Sequence, residues 1–64
     1  MARFSHGEMA HEMERMAHAK QGWLSTFSAG KKKRPDHEIE AQRLHLAVLR
    51  QAADEYRNAA ARAA

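Results

Sequence analysis

Cysteine is absent from this chain, and proline, isoleucine and valine occur once each. Glycine occurs three times, at Gly7, Gly22 and Gly30. Each scarcity excludes something. Without cysteine there is no disulfide framework and no sign of an oxidising compartment. With one Ile and one Val there is little from which to build a sheet. No long apolar run exists that would span a membrane. The opening stretch "MARFSHGEMAHEME" has no apolar segment of the kind a secretory signal carries. These absences together predict a cytoplasmic chain with no membrane partner.

What is present is helical. Ala, Glu, Arg, Leu, Met and Gln dominate the 64 residues, and these are the good helix formers. A chain of this length is one domain, residues 1–64, and buries too little surface to be comfortable alone. Small domains rely on disulfides, a metal or oligomerisation. The first is excluded by composition, so association with a second copy is the expected support.

Ser5 and Glu8 stand three apart, the spacing of a capping box, with Phe4 and Met9 at the two positions of a hydrophobic staple. They predict a first helix over about 6–28. Met9, Met13, Met16, Lys20, Trp23 and Phe27 then recur at alternating spacings of four and three, a seam in heptad phase. Ala10, Ala17 and Leu24 widen it on one flank. Met13 and Met16 are assigned to the core, and Lys20 is expected to pack its stem beside Leu46. Gly30 is a residue able to take positive φ just past the helix end.

Pro35, favoured at a first helical position, opens a second helix over about 35–62. Asp36, Glu38 and Glu40 complement the positive end of its dipole. Its seam runs through Ile39, Leu46, Leu49, Ala53, Tyr56, Ala60 and Ala63, interrupted at Gln42. His45, Val48, Ala52 and Ala59 broaden one side, and Leu44 lies off the face. Two helices joined by the short connection 29–34 pack as an antiparallel hairpin. Trp23, Leu24 and Phe27 should then meet Ile39 and Leu46, with Met9 and Met13 near Ala52, Ala53 and Tyr56.

The fold class expected is therefore all-α: an antiparallel two-helix hairpin. The apolar faces are wider than one seam needs, which predicts a homodimer forming a four-helix bundle. Met9, Met13, Met16, Trp23, Phe27, Leu46, Leu49 and Tyr56 are the candidate dimer or partner interface. In chain length and helix order the layout resembles the Rop-type dimer, two antiparallel hairpins in one bundle. The likeness includes no shared sequence motif.

Charge is placed unevenly. Residues 6–28 and residues 35–64 each carry one more acid than base, and Arg3 adds one cation. The connection "SAGKKKRPDH" holds the rest: Lys31, Lys32, Lys33 and Arg34 follow one another. Clustered cations at a tip are a candidate polyanion contact, since neutralised phosphates release counterions. The plainer reading is a solvated turn, because four cations are few, no aromatic is interleaved and Asp36 and Glu38 dilute the field.

Motifs for chemistry fail on inspection. "HEMER", residues 11–15, begins like a zinc helix but places Arg15 where the second His is needed. Glu8 and His11 have di-iron spacing, yet helix 2 offers Glu38 without a matching Glu-x-x-His pair. Ser5, Ser25 and Ser28 have no His and acid arranged around them. Of the five histidines, His6 and His45 fall on or beside the apolar faces, and His11, His18 and His37 should be exposed. No cofactor and no metal are expected, and the chain is not read as an enzyme. The expectation is a small regulatory protein acting through helix-face contacts with itself and a protein partner. The alternative is a Rop-like nucleic-acid-binding dimer using Lys31, Lys32, Lys33 and Arg34.

Overall fold

The computed structural model describes residues 3–63 and contains two helices packed against each other. Helix α1 runs His6–Phe27 and helix α2 runs Asp36–Ala63. The first begins where the capping box places it. The Ser5 amide donates to Glu8 Oε1 at 3.0 Å, and the Glu8 amide donates to Ser5 Oγ at 3.1 Å. Phe4, the outer residue of the expected staple, is 70% exposed and borders two open hollows, one with Gly7, Glu8, His11 and Glu12 and one with Ala60 and Ala63 of α2.

Helix α1 ends in a tied turn. The Ser28 amide donates to Leu24 O at 3.0 Å, and the Arg34 amide donates back to Phe27 O at 2.9 Å. Gly30 takes φ +80°, in the left-handed region a side chain resists. This lies two residues past the Ser28 cap, one later than the usual glycine position. Pro35 stands just before α2 rather than inside it. Its carbonyl accepts from Ile39 at 3.2 Å and from Glu38 at 3.0 Å, which opens the helix.

The antiparallel sense follows from two cross-helix bonds. Arg50 donates to Gln21 Oε1 at 3.1 Å, and Arg57 Nε donates to Glu14 Oε1 at 2.9 Å. Stepping forward along α2 steps backward along α1. The core is narrow. Ala17 and Leu24 of α1 meet Ile39 and Leu46 of α2, with Trp23 and Leu49 packed against this cluster. Ala10 and Ala53 are buried further toward the open end.

The register of α1 differs from the sequence expectation. The buried line is Ala10, Ala17 and Leu24, at seven-residue spacing, rather than the Met9–Met16–Trp23 line. Met13, Lys20 and Phe27 belong to both seams and are half-buried. Met16 is 49% exposed and is not a core residue. Small side chains take the centre because alanine lets two helix backbones approach closely, which pushes the bulkier methionines to the edge. On α2 the expected seam holds, with Ile39, Leu46 and Ala53 buried and Leu44 exposed.

Candidate interaction site

Once the buried lines are fixed, each helix has two flanks. Helical periodicity at ~100° per residue sorts the side chains beside Ala10, Ala17 and Leu24. One flank of α1 carries Glu14, His18, Gln21 and Ser25, all exposed. The other carries Met9, Met13, Met16, Lys20, Trp23 and Phe27, and all but Met16 are half-buried. On α2 the same division leaves Arg50, Asp54 and Arg57 on one side of the Ile39–Leu46–Ala53 line. Gln42, Leu49, Ala52, Tyr56 and Ala59 fall on the other, all half-buried.

The two cross-helix hydrogen bonds decide which flanks share a side. Both join the polar flank of α1 to the polar flank of α2. The hairpin therefore has one polar side, latched by Glu14–Arg57 and Gln21–Arg50, and one apolar side. On the apolar side Trp23 and Phe27 lie tilted against each other at 5.1 Å between ring centroids. The His6 ring lies 6.1 Å from that of Tyr56. This partition was not legible from residue types alone. The signal that locates it is the row of alanines at seven-residue spacing, which marks the true centre of α1.

Of the expected interface residues, Met9, Met13, Met16, Trp23, Phe27, Leu49 and Tyr56 come together on this apolar side. Leu46 does not: it is 7% exposed, spent in the hairpin's own core. Its flank position is taken by Ala52 and Ala59, which the interface expectation left out. His6 and His45, expected on or beside the apolar faces, are exposed. Gln42 brings a defect to the same side, because its Oε1 is buried and accepts no hydrogen bond. An unmatched buried carbonyl of this kind costs about 1–3 kcal/mol.

The four cations of the connection are all exposed. They are not equivalent. Lys33 Nζ lies 2.6 Å from Asp36 Oδ1, and Arg34 forms a two-pronged bond to Glu38 at 3.1 Å per prong. Lys33 holds the Asp36 carboxyl below its usual range, first by that hydrogen bond and then by its charge. Glu8 is also lowered, by the bonds from the Ser5 amide and hydroxyl. Lys31 and Lys32 make no ion pair with a described residue.

Among the described residues no group of three or more His, Asp or Glu side chains is placed to hold a metal ion. The hollow beside the polar latch, between Glu14, His18, Gln21, Arg50 and Asp54, is open to solvent. No helix of the described residues is long and apolar enough to cross a membrane.

No family model, no curated protein and no solved structure shows significant similarity to the chain.

Proposed function

We propose that this chain is a non-catalytic interaction module that works as a homodimer, two hairpins joined through their apolar sides into a four-helix bundle. The observation that carries the reading is the one-sidedness of the hairpin. Its polar cross-helix bonds lie on one side, while Met9, Met13, Trp23, Phe27, Leu49 and Tyr56 lie half-covered on the other. The area is adequate. A strip the length of α1 at ~1.5 Å per residue, and two helices wide at ~10 Å each, covers roughly 660 Å². Specific interfaces bury about 600–1,000 Å² per partner, so this strip lies at the low end of that range. The hollows beside the polar latch and at the open end are open to solvent, which supports a non-catalytic role. The outer row of α2, where Leu44 and Val48 are exposed, stays free in such a bundle and is the surface offered to a protein partner.

Sedimentation equilibrium at micromolar concentration tests the reading. The expected mass is twice the 7.3 kDa of the chain. A folded monomer across that range removes it.

A second reading rests on Lys31 and Lys32, which stand at the tip without acidic neighbours in contact. They would give weak, sequence-independent binding to a polyanion such as RNA or DNA. Two free cations are few, and gel shifts at low salt decide it. Retardation that disappears as salt rises supports the tip contact, and none at all leaves the connection as a turn.

A further inference from the structure

The polar side carries two cross-helix bonds with a gap between them. From Glu14, four residues along α1 lead to His18 and three more to Gln21. From Arg57, three residues back along α2 lead to Asp54 and four more to Arg50. Each of these steps is about one helical turn. Glu14 is bonded to Arg57 and Gln21 to Arg50, so His18 and Asp54 stand between two bonded pairs, one on each helix. Both border the same open hollow, with Glu14, Gln21 and Arg50 around it. Both are exposed, and among the described residues neither side chain takes part in a hydrogen bond or an ion pair.

We propose that His18 and Asp54 are a third rung of this latch, closed by a proton. A neutral imidazole gains little from an exposed carboxylate that water does not already supply. Once the ring takes a proton from solvent, both its nitrogens are donors and the bond to the carboxylate is charge-assisted. Histidine makes that change in the neutral to mildly acidic range. The hairpin then has three cross-helix bonds in consecutive turns instead of two bonds with a gap.

The surrounding charges leave Asp54 as the partner. On α1, Glu14 and Arg15 lie one turn before His18 and His11 lies two turns before it. On α2, Arg50, Asp54 and Arg57 lie on the same side. Glu14 and Arg57 are bonded to each other, and Arg15 lies 3.4 Å from Glu12. Arg50 is bonded to Gln21. Among the described residues Asp54 is the acid of this hollow that pairs with no cation. The folded hairpin holds the proton of the rung and the unfolded chain does not. The rung therefore adds stability below the imidazole range and loses it as pH rises through that range. It opens again once Asp54 is protonated, which leaves a window of roughly pH 4.5–6.5 for ordinary carboxylates and imidazoles. The polar side stays free in the proposed bundle, so the rung does not depend on the dimer.

Thermal melts at pH 5.5 and pH 7.5, at one protein concentration, test the rung with His18→Gln, Asp54→Asn and the double variant. Both positions are exposed, so neither change costs packing. At pH 5.5 the wild type should melt about 1–5 °C above each single variant, the size of an exposed ion pair in a small domain. At pH 7.5 that advantage should vanish. The double variant should lose no more than either single one, because both remove the same bond. Equal differences at the two pH values, or losses that add in the double variant, overturn the rung.

Discussion

Leu24 and Trp23 are neighbours in sequence with different duties. Leu24 is buried between α1 and α2, while Trp23 packs on the edge of that cluster and is only partly covered. Leu24→Ala should cost about 2–5 kcal/mol, as much as a core this size supplies, and leave the chain largely unfolded by circular dichroism. Trp23→Ala should cost roughly half of the ~3–5 kcal/mol typical of a buried tryptophan and leave a folded hairpin. Its larger effect should be on association, read as a raised dimer dissociation constant. Gln42 is the opposite case. Its buried Oε1 has no donor, so Gln42→Leu should raise the melting temperature, by the equivalent of about 1 kcal/mol. A lowered melting temperature would mean that Gln42 finds its partner across a dimer interface.

The two helices are bounded by different devices, and these respond differently to pH and mutation. The capping box of α1 and the Lys33–Asp36 bond at the start of α2 both hold a carboxylate in its charged form. A carboxylate lowered in the folded state binds its proton more readily when unfolded. Its contribution is therefore present above the ordinary carboxylate range and is lost as pH falls through the lowered value. Helicity should fall in acid, with amides near Ser5 and Asp36 losing protection from hydrogen exchange first. Glu8→Gln and Asp36→Asn together should flatten that part of the profile. At the connection, changing Lys31, Lys32 and Lys33 to Ser removes only one ion pair, that of Lys33, which is exposed. Exposed pairs contribute little, so far-ultraviolet circular dichroism and the melting temperature should change by less than a few degrees. The Arg34–Glu38 bond and the Arg34 amide bond to Phe27 remain to hold the turn. A large loss of helicity would show that the lysines do more for the fold than their contacts indicate.

At the scale of the whole molecule, a pair of helices with a core this narrow has little to stabilise it alone. Six of the described residues are buried, and three of them are alanines, which bring little apolar area. If association supplies the rest, stability must depend on concentration. The melting temperature should then rise across a hundredfold dilution series run in reverse, by mass action on the dimer. A melting temperature independent of concentration would leave the hairpin to stand by itself.

Much of this was settled before any packing. Helix type follows from the abundance of helix formers, the start of α1 from Ser5 and Glu8, and the turn from Gly30 and Pro35, because such signals act within a few residues. The seam of α2 was equally plain, since Ile39 and Leu46 are the only large side chains that fit a seven-residue repeat beginning at Ile39. On α1 three methionines at helical spacing outweighed Ala10 and Ala17 in any reading by hydrophobicity. Only the partner helix decided between them. Close approach of two backbones favours the smallest side chains at the line of contact, and that preference has no meaning until the second helix is there. The same step turned Met16 outward, spent Leu46 inside, and set the polar latch opposite the tryptophan. Pairing of Lys33 and Arg34 with Asp36 and Glu38 likewise required the turn to bring the connection back over the first turn of α2.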